Sequence, residues 1–328
     1  MQRRKLGYSD LNLTTIGMGT YALGGGDWQY AWGAQDDADS VAAIHRAFDL
    51  GINWVDVAPA YGLGHAEEVT GKVLAERRDD IVVATKCGLT WEESSGEIGH
   101  NLKAGQIKWE AEQSLRRLQI EAIDLYQIHW PVPDEDVEEA WGAIADLIKA
   151  GKVRYAGASN FNLDQMQRCQ AIHPITSLQP PYSMLEREVE DELLAYCAEN
   201  NIGVIAYSPM EAGLLTGKFT RERLNSLPDN DWRKGAGHFS EPEITANFAL
   251  VDGLRAIAQR NDKSVAELAI AWVLRRPEIT GAIVGARRPS QIEETCTAAD
   301  WALSEADQAE IDQLLAARDE ALAQTAKG

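Results

Sequence analysis

Short apolar runs and amphipathic stretches alternate along most of this 328-residue chain. The runs NWVDV (53–57), IVVATK (81–86) and DLYQIH (124–129) are rich in β-branched or aromatic residues, and each follows a helical pattern. Strands buried on both faces by packed helices have this character. TIGMGT (15–20), RYAGAS (154–159), SLQ (177–179), GVIAYS (203–208) and GAIVGA (281–286) read the same way, which makes eight predicted strands. The clearest helix is 135–150, where Val137, Ala140, Trp141, Ile144, Leu147 and Ile148 fall at helical spacing and Gly151 closes the element. Residues 37–50 bring Val41, Ile44 and Phe48 to one side before Gly51, and 264–275 open on Ser264 with Glu267 three positions on, a capping-box pattern.

Eight strand–helix units in a chain of this length predict a (β/α)8 barrel, read as one domain over 1–328. An open doubly wound sheet is the competitor, but no dinucleotide-type glycine fingerprint follows the first strand. Ahead of that strand, RRKLG and LNLTT flank YSD, and the pair is expected to form a hairpin plugging the lower end of the barrel.

Charge narrows the range of partners. Lys and Arg minus Asp and Glu gives 31 − 51 = −20, so long-range electrostatics oppose nucleic acid and anionic membranes, and a phosphate-bearing ligand needs a local cationic spot. No run of 18 apolar residues is present, and MQRRKLGYSDLN lacks the apolar segment of a signal peptide. Cys87, Cys169, Cys197 and Cys296 are scattered without a CxxC, which fits reduced thiols. The expectation is a cytoplasmic protein with no nucleic-acid or membrane partner; its oligomeric state stays open.

Asp56, Tyr61, Lys86 and His129 each lie at or just beyond the end of a predicted strand, so closure of the barrel brings them to one mouth. Reduction of a carbonyl leaves an alkoxide, and the site must deliver a proton and stabilise charge on one oxygen. The Tyr61 phenol, with an ordinary pKa of about 10, is expected to be made more acidic by the Lys86 cation. Asp56 pairs with Lys86 to hold its charge, and His129 hydrogen-bonds the carbonyl oxygen. Taken singly, each residue has a plainer reading: a turn-capping carboxylate, a packed aromatic, an imine-forming lysine, a core histidine. The four together at one mouth favour the acid.

Two segments offer the cationic spot. GLLTGKF (213–219) follows the seventh strand and carries Lys218. GARRPSQIEE (285–294) follows the eighth, with Arg287 and Arg288 ahead of a helix starting near Pro289. Free N–H groups at a helix start and guanidinium forks suit a phosphate monoester, and loops after strands seven and eight are the usual phosphate site of such barrels. No HxH, HExxH or Cys/His cluster of ligand spacing is present, so no metal is expected. Glu67 and Glu68, which open a helix, are explained by the helix dipole rather than as a glycosidase pair.

The chain resembles the aldo-keto reductase family over essentially its whole length. The matching segments are GINWVDVAPAYGLGHAEEVTGKVL (51–74), ATKCG (84–88), DLYQIHWP (124–131), GKVRYAGASNF (151–161) and IVGARRPSQIEE (283–294). The resemblance implies hydride transfer between a nicotinamide dinucleotide, usually NADPH with NAD possible, and a small carbonyl compound, sugar or polyol. Its catalytic tetrad carries onto Asp56, Tyr61, Lys86 and His129. Its cofactor contacts carry onto Gly19, Thr20, Asp56, Ser159, Asn160, Gln179, Tyr207, Ser208, Pro209, Gly213, Leu214, Leu215, Gly217, Lys218, Gly285, Arg287, Gln291 and Glu294. Little chain follows the last helical pattern after Asp300, so substrate choice is expected to fall to the loops 24–35, 91–105 and 220–245.

Overall fold

The computed structural model describes residues 1–26, 28–78, 81–92, 94–228 and 231–325. β1 (Arg3–Lys5) and β2 (Asn12–Thr14) pair antiparallel as the expected N-terminal hairpin. The barrel strands are β3 (Ile16–Gly19), β4 (Trp54–Asp56), β5 (Val82–Cys87), β8 (Ile123–Ile128), β9 (Val153–Ser159), β10 (Ser177–Gln179), β11 (Gly203–Ala206) and β12 (Ile279–Gly285). They pair in parallel in that order, and β12 closes on β3. All eight predicted strands form. The segment expected to be a loop at 91–105 instead shares a second hairpin, β6 (Leu89–Trp91) with β7 (Ile98–His100), before the next helix begins.

The helices are α1 (Asp37–Asp49), α2 (His65–Arg77), α3 (Ala104–Leu118), α4 (Val137–Lys149), α5 (Leu163–Gln170), α6 (Leu193–Glu199), α7 (Arg221–Asn225), α8 (Glu243–Arg260), α9 (Val265–Leu274), α10 (Pro289–Cys296) and α11 (Glu305–Thr325). Their starts follow local chemistry. Asp36 accepts from the Ala38 and Asp39 N–H groups ahead of α1, and Ser264 with Glu267 closes the anticipated capping box of α9. No described helix is long and apolar enough to cross a membrane.

The two-residue side-chain period of a strand sets up the interior in layers. Trp54, Ala84, Leu125, Ile205 and Ile283 point inward low in the barrel and pack with Leu6, Leu11 and Leu13 of the hairpin region, which therefore seals that end. Trp54 fills the floor and donates its indole N–H to Thr14 O at 2.8 Å. Gly17 is needed beside it, since a Cβ there would stand 2.1 Å from the indole. Two residues further along the same strands come Asp56, Lys86 and Gln127, so one step of pleat replaces an apolar layer with a polar one.

Candidate active site

Lys86, on β5, is the centre of the polar layer. Its Nζ donates to Asp56 Oδ1 at 2.6 Å, to Val57 O at 3.1 Å and to Tyr61 Oη at 3.2 Å. Lys86 is fully buried and Asp56 nearly so. Asp56 Oδ2 accepts from Gln179 Nε2 at 2.8 Å and from Gln127 Nε2 at 3.4 Å, so β4, β5, β8 and β10 share one network. Tyr61 stands in the turn between β4 and α2, and the His129 ring meets it edge-on with centroids 5.8 Å apart. His129 follows β8 and is fixed by its N–H to Cys87 O at 2.9 Å. The four residues singled out in the sequence are thus brought together.

The electrostatics depart from expectation at one point. The Tyr61 phenol is not more acidic in the free protein: burial, and then the Asp56 charge, hold it well above its ordinary value. Burial pulls the Lys86 ammonium down, and the Coulombic pull and hydrogen bond of Asp56, with the charge of Glu67, oppose that. Burial, with the Lys86 and His100 charges behind it, drives His129 well below the usual imidazole range. The site therefore presents a protonated phenol beside a neutral imidazole, both ready to donate to an oxygen.

Beside this centre lies a second polar group. Asn160, in the left-handed region at φ 61°, donates to His129 O at 2.9 Å and to Ser159 Oγ at 3.1 Å, and accepts from Tyr207 Oη at 2.8 Å. Ser159 Oγ donates to Gln179 O at 3.0 Å. Thr20 anchors on Asp56 O through both its N–H and its hydroxyl, and Gly19 pairs in register with Gly285 across the closing strands. Ser208 has φ 56° and Pro209 is buried at the start of the turn that leads to Gly213.

Several expected cofactor contacts are already engaged. The Gln179 amide nitrogen is committed to Asp56. The side chains of Leu214 and Leu215 are sealed in the core, which leaves their main chain as the part a dinucleotide can meet. Lys218 and Glu294 are bound to each other, Nζ lying 2.7 and 2.6 Å from the two carboxylate oxygens, so a clasp joins the 213–219 segment to α10 beyond Gly217. Arg287 donates Nε to Gln35 Oε1 at 2.6 Å and an Nη to Ala34 O, while Gln291 Oε1 accepts from the Arg287 and Arg288 N–H groups at 2.8 and 3.2 Å. Glu67 is no mere helix-dipole partner. It is fully buried, accepts from Thr85 Oγ1 at 2.7 Å, and pairs with Arg117 Nε at 2.7 Å.

Other residues emerge only in three dimensions. Arg233 is buried, held by the Asp231 carboxylate at 2.7 and 2.9 Å, and lies over the Trp32 ring at 4.9 Å, joining two mouth segments. Trp28 and Tyr21 pack against Tyr61 with ring centroids 6.3 and 5.1 Å away. Glu211, at φ 44°, is pushed by burial up to about 7 and accepts from Ser183 Oγ at 2.6 Å. Gln127 alone had a usable signal: it stands two positions before His129 on the same strand face. Among the described residues no cluster suited to a metal ion is present.

The Aldo/keto reductase family profile matches residues 15–316 of the chain. The chain belongs to that family. It is 37% identical over 318 residues to the aldo-keto reductase YhdN of Bacillus subtilis, covering 96% of this chain and 94% of that one. It is 32% identical over 322 residues to the NADH-specific methylglyoxal reductase of Escherichia coli, covering 94% and 96%. The solved structure of the glycerol dehydrogenase AKR11B4 from Gluconobacter oxydans superposes with a TM-score of 0.88 at 35% identity, covering 97% of this chain and 96% of the other. This aldo-keto reductase is accordingly an oxidoreductase of the carbonyl–alcohol couple.

Proposed function

We propose that this aldo-keto reductase transfers hydride between a nicotinamide dinucleotide, NADP(H) in preference to NAD(H), and a small aldehyde or ketone or the corresponding alcohol or sugar. Tyr61 acts as general acid and base, assisted by Lys86, Asp56 and His129. The observation that carries this reading is the Lys86 ammonium in contact with both Asp56 and the Tyr61 hydroxyl. When bound, the dinucleotide supplies the hydride. The chain's own residues manage the proton. Tyr61 releases it to the substrate oxygen, and the phenolate left behind stands 3.2 Å from the ammonium that stabilises it. A neutral His129 donates to the same oxygen and sets its direction.

The donor set fits the dinucleotide. Ser159, Asn160 and Tyr207 form a linked amide–hydroxyl group beside the acid, suited to a carboxamide and an aromatic ring. Burial and then the charges of Arg288, Arg233 and Arg223 lower Arg287; with Arg233 paired to Asp231, the guanidinium groups of Arg287, Arg288 and Arg223 share one region of a chain with net charge −20. Such a local excess of cation favours a 2′-phosphate, which supports NADP over NAD. A fully buried Lys86 tied to Asp56 does not favour the imine-forming alternative.

Tyr61→Phe is expected to lower turnover of small aldehydes by roughly 100- to 10,000-fold while leaving dinucleotide affinity within about twofold. Undiminished turnover would remove Tyr61 as the acid. Titration with NADPH and NADH, followed by reduced-nicotinamide absorbance, checks the cofactor preference; equal affinity that Arg287→Ala leaves unchanged would count against it.

A further inference from the structure

The turn that leads from β11 into the 213–218 segment has an uncommon backbone. Ser208 (φ 56°), Glu211 (φ 44°) and Ala212 (φ 47°) all stand in the left-handed region, which non-glycine residues seldom occupy, and Gly213 follows at φ 97°. Such a conformation persists where the surroundings over-determine it. Here the contacts converge on Glu211. Its buried carboxylate accepts from Ser183 Oγ at 2.6 Å, and that hydroxyl accepts in turn from the Leu185 and Glu186 N–H groups at 3.0 and 3.2 Å. From the other side Arg233 Nη1 donates to Ala212 O at 3.3 Å. An ionisable group is therefore enclosed at the head of the main chain that a dinucleotide can meet.

The groups around it balance one another. Glu186 lies in the same turn as Ser183, His238 Nε2 is 2.8 Å from Glu186 Oε1, and Glu243 of α8 holds His238 Nδ1 at 2.6 Å and Arg318 of α11 at 3.4 Å. The Tyr207 hydroxyl, at the end of β11, is committed to Asn160. α9 packs against the 211–216 turn, and its one titratable residue, Glu267, is tied to Lys263 at 2.8 Å. Burial pushes the Glu211 carboxyl up to about 7; the Glu186 charge adds to this, and the Ser183 hydrogen bond with the His238 and Arg318 charges opposes it. No cation is bonded directly to Glu211 among the described contacts, in contrast to Asp56 with Lys86 and Glu67 with Arg117.

We propose that Glu211 is a proton-accepting member of the dinucleotide site, so that a pyrophosphate settling on the 213–218 main chain is accompanied by uptake of one proton from water onto the Glu211 carboxylate. This rests on the proposed dinucleotide function. The only bond made is the carboxyl O–H. A pyrophosphate brings negative charge to a segment whose first side chain is itself an acid, and two like charges close together in a buried setting oppose each other. Protonation of Glu211 removes that opposition and leaves its hydrogen bond from Ser183 in place. The affinity for the dinucleotide therefore falls as the pH rises and Glu211 ionises.

The test measures the Kd of NADPH and of NADH by titration across the neutral range in the wild type and in Glu211→Gln, whose amide oxygen still accepts from Ser183 but carries no charge. In the ratio of the two proteins' Kd values, ionisation of the cofactor's own 2′-phosphate cancels. That ratio, wild type over variant, is expected to lie within about twofold of one near pH 6 and to rise to about five- to tenfold near pH 8.5. A ratio that stays level or falls with pH overturns the proposal, whatever its size, because a residue that only holds the turn weakens binding equally at every pH. A wild type that binds neither dinucleotide would instead overturn the functional reading beneath it. Should Glu211→Gln fail to fold, calorimetry of NADH binding to the wild type in two buffers of different ionisation enthalpy decides, together with Ser183→Ala. Uptake of part of a proton near pH 7 is expected, and removal of the Ser183 hydrogen bond moves its midpoint upward. No uptake, or a midpoint that does not rise, overturns the proposal.

Discussion

Gln179 Nε2 donates to Asp56 Oδ2 over 2.8 Å, a contact between strands that stand far apart in sequence order. The other oxygen of the same carboxylate takes the Lys86 ammonium at 2.6 Å. Asp56 is therefore gripped on both sides, and the geometry of the ion pair is fixed by the barrel wall rather than by the ion pair alone. That arrangement makes the consequences of disturbing it specific.

Asp56→Asn leaves the buried Lys86 ammonium without its counter-charge. Burial already lowers the Lys86 pKa and Asp56 opposes this, so the variant's lysine loses its proton at a lower pH than the wild type's. Turnover should drop on the order of 100-fold at neutral pH and recover in part as the pH is lowered, because acidification restores the cation. The pH profile of kcat is the check. A uniformly depressed profile of unchanged shape would mean that Asp56 does not act through Lys86.

Arg117→Met strands the fully buried Glu67 carboxylate, since Arg117 Nε is its ionic partner at 2.7 Å. Breaking a buried pair from one side costs roughly 3–5 kcal/mol. Urea unfolding should show a loss of that size, and adding Glu67→Gln should return part of it by removing the stranded charge. If the double variant proves less stable than Arg117→Met, the pair is not acting as a charge pair.

His238 lies between Glu186 at 2.8 Å and Glu243 at 2.6 Å. Its hydrogen bond to Glu186 raises it, against burial and with Glu243 assisting, from 6.5 to about 9. A raised folded-state pKa means that the stabilisation is fully present below pH 6.5 and is lost as the pH rises through about 9. The gap in thermal midpoint between wild type and His238→Gln should therefore be largest near the acid end of that window and shrink toward the alkaline end. Parallel melting curves across the window would show that the imidazolium contributes nothing.

Much of this was legible in the chain. Apolar runs of strand length located all eight barrel strands, and the positions of Asp56, Tyr61, Lys86 and His129 at strand ends located the polar centre. The segment 91–105 was less legible, because the two short strands of its hairpin lack the sustained alternation that marks a longer strand. Glu67 was misjudged for a related reason: a carboxylate in the first turn of a helix looks solvated until Arg117, fifty positions on, is folded against it.

The sequence by itself determined the order of elements and the layer each inward side chain occupies, since the two-residue pleat converts position along a strand directly into depth in the barrel. Only the tertiary structure decided the protonation tendencies and the engaged contacts. A phenol is raised or lowered by how deeply it is enclosed and by which charge stands nearest, and Lys218 meets Glu294 across 76 positions of chain. Burial and pairing of this kind depend on distances through space, which spacing along the sequence does not carry.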